Sequence, residues 1–96
     1  MRRLRLSPAA QADLSAIWDY TSNRWGAAQA NRYISLIRSR AEALAEGTTA
    51  ARRADHVRRG YVMLSAGSHT LWCQVTQDSV DIIRILHQSM DVHRHL

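Results

Sequence analysis

The stretch Arg3-Leu4-Arg5-Leu6-Ser7-Pro8 changes its period within six residues, and that change decides the fold. Arginine and leucine alternate through Leu6, which is the period of a half-buried strand. Ser7 is a preferred helix N-cap and Pro8 suits the first helical position, so a strand passes into a helix with no intervening loop. Downstream, Leu14, Ile17, Trp18, Thr21 and Trp25 recur at helical spacing, with Asp13 and Asp19 on other faces and Gly26 as a terminator. Ala30, Ile34, Ile37, Ala41 and Leu44 form the stripe of a second helix over residues 27–46, closed by Gly47. So short a break between two helices predicts an antiparallel helical hairpin. Residues 47–58 are polar, arginine-rich and without a period, and read as a loop.

Beyond residue 60 the period returns to that of strands. Residues 61–64, 69–75 and 80–86 are β-rich runs separated by the turn-like stretches 65–68 and 76–79, which predicts a three-strand antiparallel meander. In the last run, period-two counting puts Val80, Ile82, Arg84 and Leu86 on one side, with Ile83 and Ile85 on the other. Both faces therefore carry apolar groups, and the strand is expected inside the sheet. An arginine on such a strand needs a partner, and Asp81 or Asp91 is the expected one unless a binding partner supplies it. The tail, residues 89–96, fits a short helical turn or an extended run equally well. The order β-α-α-β-β-β gives an α+β fold in which a helical hairpin packs on a small, mainly antiparallel sheet.

Length and charge narrow the function. At 96 residues, 46% hydrophobic and 22% charged, the chain has the bulk of one domain spanning residues 1–96, which excludes a multidomain enzyme. All thirteen basic residues are arginine, with a formal net charge of +5. Arginine stays protonated but forks onto carboxylates and phosphates, so a lysine-dependent mechanism is excluded and an acidic or phosphate-bearing partner is favoured. No apolar run is long enough to span a membrane, and the basic N-terminus lacks the apolar core of a secretory signal. With the lone Cys73 read as a small buried apolar group, a reducing cytoplasmic setting is expected. His87, His93 and His95 have no acidic or cysteine partner at ligand spacing, so no metal and no cofactor is expected. No DNA-reading motif is present, and specific DNA binding by this chain alone is not expected.

The segment Leu6-Ser7-Pro8-Ala9-Ala10-Gln11-Ala12-Asp13-Leu14, continued by Ile17-Trp18-Asp19-Tyr20 and Trp25-Gly26, resembles the helical hairpin of ParE toxins in the ParE/RelE superfamily. Val57-Arg58-Arg59-Gly60-Tyr61, Ser68-His69 and Ile83-Arg84-Ile85-Leu86-His87-Gln88-Ser89-Met90-Asp91 are similar to that family's meander and closing motif. The resemblance implies the toxin of a type II toxin–antitoxin pair, neutralised by a ParD-like antitoxin and acting on DNA gyrase by binding. The alternative it carries is ribosome-dependent messenger RNA cleavage of the RelE type. By resemblance and position, Leu14, Trp18, Tyr33, Ile37 and Arg59 are the expected antitoxin contacts. Arg59, Tyr61, Arg84, His87, Met90, Asp91 and Arg94 are the expected target contacts. For a ribonuclease, Arg58, Arg59 and Arg84 would hold phosphate and His87 would stand at the catalytic C-terminal position. Otherwise no catalytic residue is expected, and His87 is a structural group at the sheet end.

Overall fold

The computed structural model describes residues 1–96. β1 (Arg3–Leu6) runs directly into α1 (Pro8–Trp25), and α2 (Ala27–Glu46) folds back along it. β2 (Arg52–Arg53), β3 (Tyr61–Ala66), β4 (His69–Val75) and β5 (Ser79–His87) follow, and the tail makes a 3₁₀ turn at Val92–Arg94. The strands form one sheet in the order β1-β5-β4-β3-β2, with β1 parallel to β5 and all other pairs antiparallel. The α+β hairpin-on-sheet architecture is as expected, and β5 lies inside the sheet between β1 and β4.

The strand-to-helix junction works through one side chain. Ser7 Oγ accepts the Ala10 N–H at 3.0 Å and donates to the Ile83 carbonyl at 2.6 Å, so the cap of α1 is also a tie to β5. The hairpin corner is a single residue, Gly26, with φ 92° and ψ 165°. Only glycine adopts that conformation readily, which is why one residue can end α1 and begin α2.

Residues 47–58 are not loop throughout, and this corrects the sequence expectation. Arg52 and Arg53 pair with Met63 and Val62 as a two-residue edge strand. Two exposed arginines carry no strand pattern of their own, and β3 supplies the pairing.

A second correction concerns β5. Cys73 pairs with Ile82 but Trp72 pairs with Arg84, so Ile83 is an extra, bulged residue. The bulge flips the side-chain phase beyond it. Val80, Ile82 and Ile85 join the core beneath the helices, together with Ile17, Ile37, Leu64 and Leu71, whereas Leu86 lies in the opposite core with Ala54, Tyr61 and Trp72. Ile85 and Leu86 have thus exchanged the faces that strict alternation assigned them. No helix covers the second face. Val57 from the 54–60 turn, and Val92 and Leu96 from the tail, pack there instead.

Trp25 is the third correction. It is 61% exposed rather than part of the α1 stripe, at the last residue of α1 with its ring against Tyr20 and the Arg24 guanidinium.

Candidate interaction groove and histidine cleft

Between α1, α2 and β1 an apolar groove of about 640 Å³ opens to the surface. Nine of its thirteen lining residues are hydrophobic, so an occupant would gain mainly from apolar burial. Ile37, Leu71 and Ile82 form a floor that is almost fully buried, while half-exposed Leu4, Leu6 and Leu14 form the walls. Arg38 and Glu42 stand on the rim, one charge of each sign. β1, four residues long and at the edge of the sheet, borders the groove.

At the opposite end of the hairpin, two histidines meet. The Tyr33 hydroxyl accepts the Ser68 N–H at 2.9 Å and lies 2.6 Å from His69 Nδ1. Which of the two groups donates in this contact follows the imidazole tautomer, since the phenol oxygen can accept a second hydrogen bond or donate its own proton. Gly67 permits this approach, since a Cβ there would lie 2.7 Å from the Tyr33 ring. The His69 ring meets the His87 ring edge-on at 5.2 Å, and His87 Nδ1 accepts the Ser89 N–H at 3.1 Å. A cleft of about 310 Å³ connects this pair to Tyr20 and Trp25 at the hairpin tip, where the Arg24 guanidinium lies over both rings.

Burial, and then the neighbouring His87, push the His69 pKa below its ordinary value of 6.5, opposed in part by Asp13. Below pH 6.5 the unfolded chain therefore takes up a proton at this position before the folded one does. Stability falls as pH drops through the window between 6.5 and the depressed folded value. His69→Gln, which can still hydrogen-bond to Tyr33, is expected to flatten that pH dependence. Urea denaturation above and below the window measures it, and equal slopes in the two proteins would refute the assignment.

All three guanidinium nitrogens of Arg84 are engaged, by two partners. Its Nε and Nη2 reach the two Asp13 oxygens at 2.8 and 2.9 Å, and its Nη1 donates to the His95 carbonyl at 2.9 Å. Asp13 Oδ2 also accepts the Ile85 N–H at 2.9 Å, closing the edge of β5 that β1 leaves open beyond Ile82. The partner of Arg84 is thus neither Asp81, which holds Arg5 at 2.7 Å, nor Asp91, which faces Arg94 at 3.7 Å. Asp13 carries the role that its place off the apolar stripe concealed.

Of the expected antitoxin contacts, Leu14 and Ile37 lie together in the groove. Trp18 is half-buried and donates to Asn31 Oδ1 at 2.9 Å, Tyr33 belongs to the histidine cleft, and Arg59 is exposed on the turn before β3. Of the expected target contacts, Arg59, His87, Met90, Asp91 and Arg94 are exposed. Tyr61 is only 8% exposed, with Arg58 over its ring, and Arg84 is tied to Asp13. The ribonuclease set does not assemble. Tyr61 pairs with Gln74 and His69 with His87, so Arg58 and Arg59 lie at one end of the sheet and His87 at the other. Gln74 and His69 are five residue steps apart along β4, about 17 Å of strand. Sequence reasoning passed over His69, Leu4 and Leu6; the alternation of β1 was the available signal for the two leucines. Cys73 is fully buried, and burial pushes its thiol up to about 12, which leaves it inert. No helix is long and apolar enough to cross a membrane.

Comparison with known proteins bears on this geometry. A family model described as "ParE toxin of type II toxin-antitoxin system, parDE" matches residues 4–92. The chain is 47% identical to Toxin ParE1 of Mycobacterium tuberculosis, over 98% of this chain and 97% of that protein. It is 40% identical to Toxin ParE1 of Caulobacter vibrioides, over 100% and 99%, and 39% identical to Toxin RelE3 of the same organism, over 91% and 95%. Among solved structures, the chromosomal ParDE toxin–antitoxin system from P. aeruginosa superposes with a TM-score of 0.78 at 23% identity, covering 91% of this chain and 96% of that one.

Proposed function

The chain belongs to the ParE toxin family of type II toxin–antitoxin systems, and on that premise we propose that a ParD-type antitoxin holds it through the α1–α2–β1 groove. The freed toxin acts on DNA gyrase by binding, inhibiting it or holding it in a DNA-cleaving state, in the cytoplasm where gyrase works. The groove carries the first half of this reading. Its apolar floor, and a rim that carries one charge of each sign, suit an amphipathic helix laid along it with leucine or phenylalanine anchors. Binding rather than chemistry is supported by the scattered arginines: no phosphate clamp converges on His87, and Arg84 already has Asp13.

Incubation of purified toxin with gyrase and supercoiled plasmid tests the target. Linear DNA that appears only with both proteins, and disappears on adding antitoxin, is the expected result. Growth arrest without any effect on gyrase would overturn it.

Messenger RNA cleavage is the second reading, and the 5.2 Å approach of His69 and His87 is what favours it. Two imidazoles at that distance are in reach of acid and base roles. His69→Gln and His87→Gln would then abolish toxicity while antitoxin binding persisted. Under the gyrase reading, toxicity is more sensitive to truncation of residues 90–96.

A further inference from the structure

We propose that the turn carrying Arg52, Arg53, Arg58 and Arg59 is a preformed surface for the phosphate backbone of duplex DNA, independent of base sequence. Four arginines fall within eight residues, and the only acid among them, Asp55, is consumed internally. Its Oδ2 lies 2.7 Å from Arg53 Nη2 and its Oδ1 accepts the Gly60 N–H at 2.8 Å. Arg52, Arg58 and Arg59 have no acidic partner.

The platform beneath them is rigid. The Ala54 N–H donates to the Tyr61 carbonyl, the Val57 and Arg58 N–H groups donate to the Ala54 carbonyl, and the Tyr61 N–H returns to the Arg58 carbonyl. Ala54 is fully buried and anchors the turn, while all four arginines are exposed. A charged surface held by its own backbone bonds loses little further freedom when it binds.

The surroundings choose the partner. Protein interfaces draw most of their energy from an apolar, desolvated centre, and this surface has none, because Ala54 is buried and Val57 packs inward. Single-stranded nucleic acid is gripped by several exposed aromatic rings on which successive bases stack; Tyr61 is buried, and the His56 imidazole alone is exposed on the turn, too small a platform for a run of bases. What remains is a cluster of exposed guanidinium groups, of which Arg52, Arg58 and Arg59 are free of carboxylates, and such forks match the phosphates that supply most of non-specific duplex binding. The inference deepens the gyrase reading, since a toxin acting on gyrase meets that enzyme's bound DNA segment.

Fluorescence anisotropy of the intact toxin with a labelled DNA duplex and no gyrase tests it. Binding without sequence preference that weakens steeply with salt is expected. Changing Arg52, Arg58 and Arg59 together to Ala is expected to lower affinity at least about tenfold and to reduce the salt slope by about two to three. A parental thermal melting transition, which does not depend on either binding partner, reports that this variant is folded. A control variant with Arg3, Arg24 and Arg32 changed to Ala removes the same charge elsewhere and is expected to lose much less. Equal losses in the two variants would assign binding to net charge alone and overturn the proposal. So would undiminished DNA binding by the turn variant, tighter binding to single-stranded RNA than to the duplex, or turn substitutions that weaken only the antitoxin. Because gyrase is absent here and required in the supercoiling assay, failure of this surface and failure of the gyrase target are told apart.

Discussion

Asp13→Ala is expected to lower the unfolding free energy by about 2–4 kcal/mol and the melting temperature by roughly 10–20 °C. The Asp13 and Arg84 side chains are only 14% and 22% exposed, so solvent replaces little of what is lost. Removing the carboxylate breaks a bidentate charge-assisted pair and strands both a guanidinium and the Ile85 N–H at an uncovered strand edge. Asp13→Asn keeps one acceptor and is expected to cost less. Replacing both partners, Asp13→Ala with Arg84→Met, is expected to cost less than the two single changes added together, because neither variant group is left charged and unpaired. The loss is expected to reach the tail as well. Arg84 also holds the His95 carbonyl, so limited proteolysis of Asp13→Ala should cut first within residues 90–96. Unchanged thermal melting of Asp13→Ala would remove the pair from the account of stability.

Leu14→Glu is expected to weaken the antitoxin complex by about 30-fold or more. Leu14 forms a half-exposed wall of the groove, and a carboxylate there would be desolvated beneath a seated helix without a partner. Leu14 also packs against the core, so a second variant separates docking from folding. Ser15→Trp fills the groove from an exposed position and leaves the core untouched. Asp19→Ala, exposed and outside the groove lining, is expected to bind as the parent does. Calorimetry with the purified antitoxin measures all three, and parental affinity in both Leu14→Glu and Ser15→Trp would displace the antitoxin from this groove.

Much of the architecture was legible locally. The switch at Ser7-Pro8 marked the end of β1 and the start of α1, since capping and proline φ act over a few residues. Gly26 and Gly47 marked the hairpin corner and the end of α2, and the meander followed from alternation broken by turn residues. The apolar residues on both sides of β5 placed it inside the sheet before any partner was known. Leu14 and Ile37, expected by resemblance and position to meet the antitoxin, both line the groove.

The rest depended on register and on pairs far apart in the chain. Val75 pairs with Val80, so a regular hairpin would set His69 opposite position 86; the extra residue at Ile83 sets it opposite His87 and creates the cleft. Nothing local marks Ile83 as a bulge, because its apolar character suits a regular strand equally well. The same slip exchanged Ile85 and Leu86 between faces and carried Arg84 to Asp13, 71 residues earlier in the chain. β2 exists only because β3 lends two arginines a partner, and the tail turns where it does because a sheet face without helices needs cover. Periodicity and capping are short-range and survive in a linear reading. Registry, edge closure and ion pairing are decided by which distant groups the packed chain leaves unsatisfied, and only the tertiary structure reveals those.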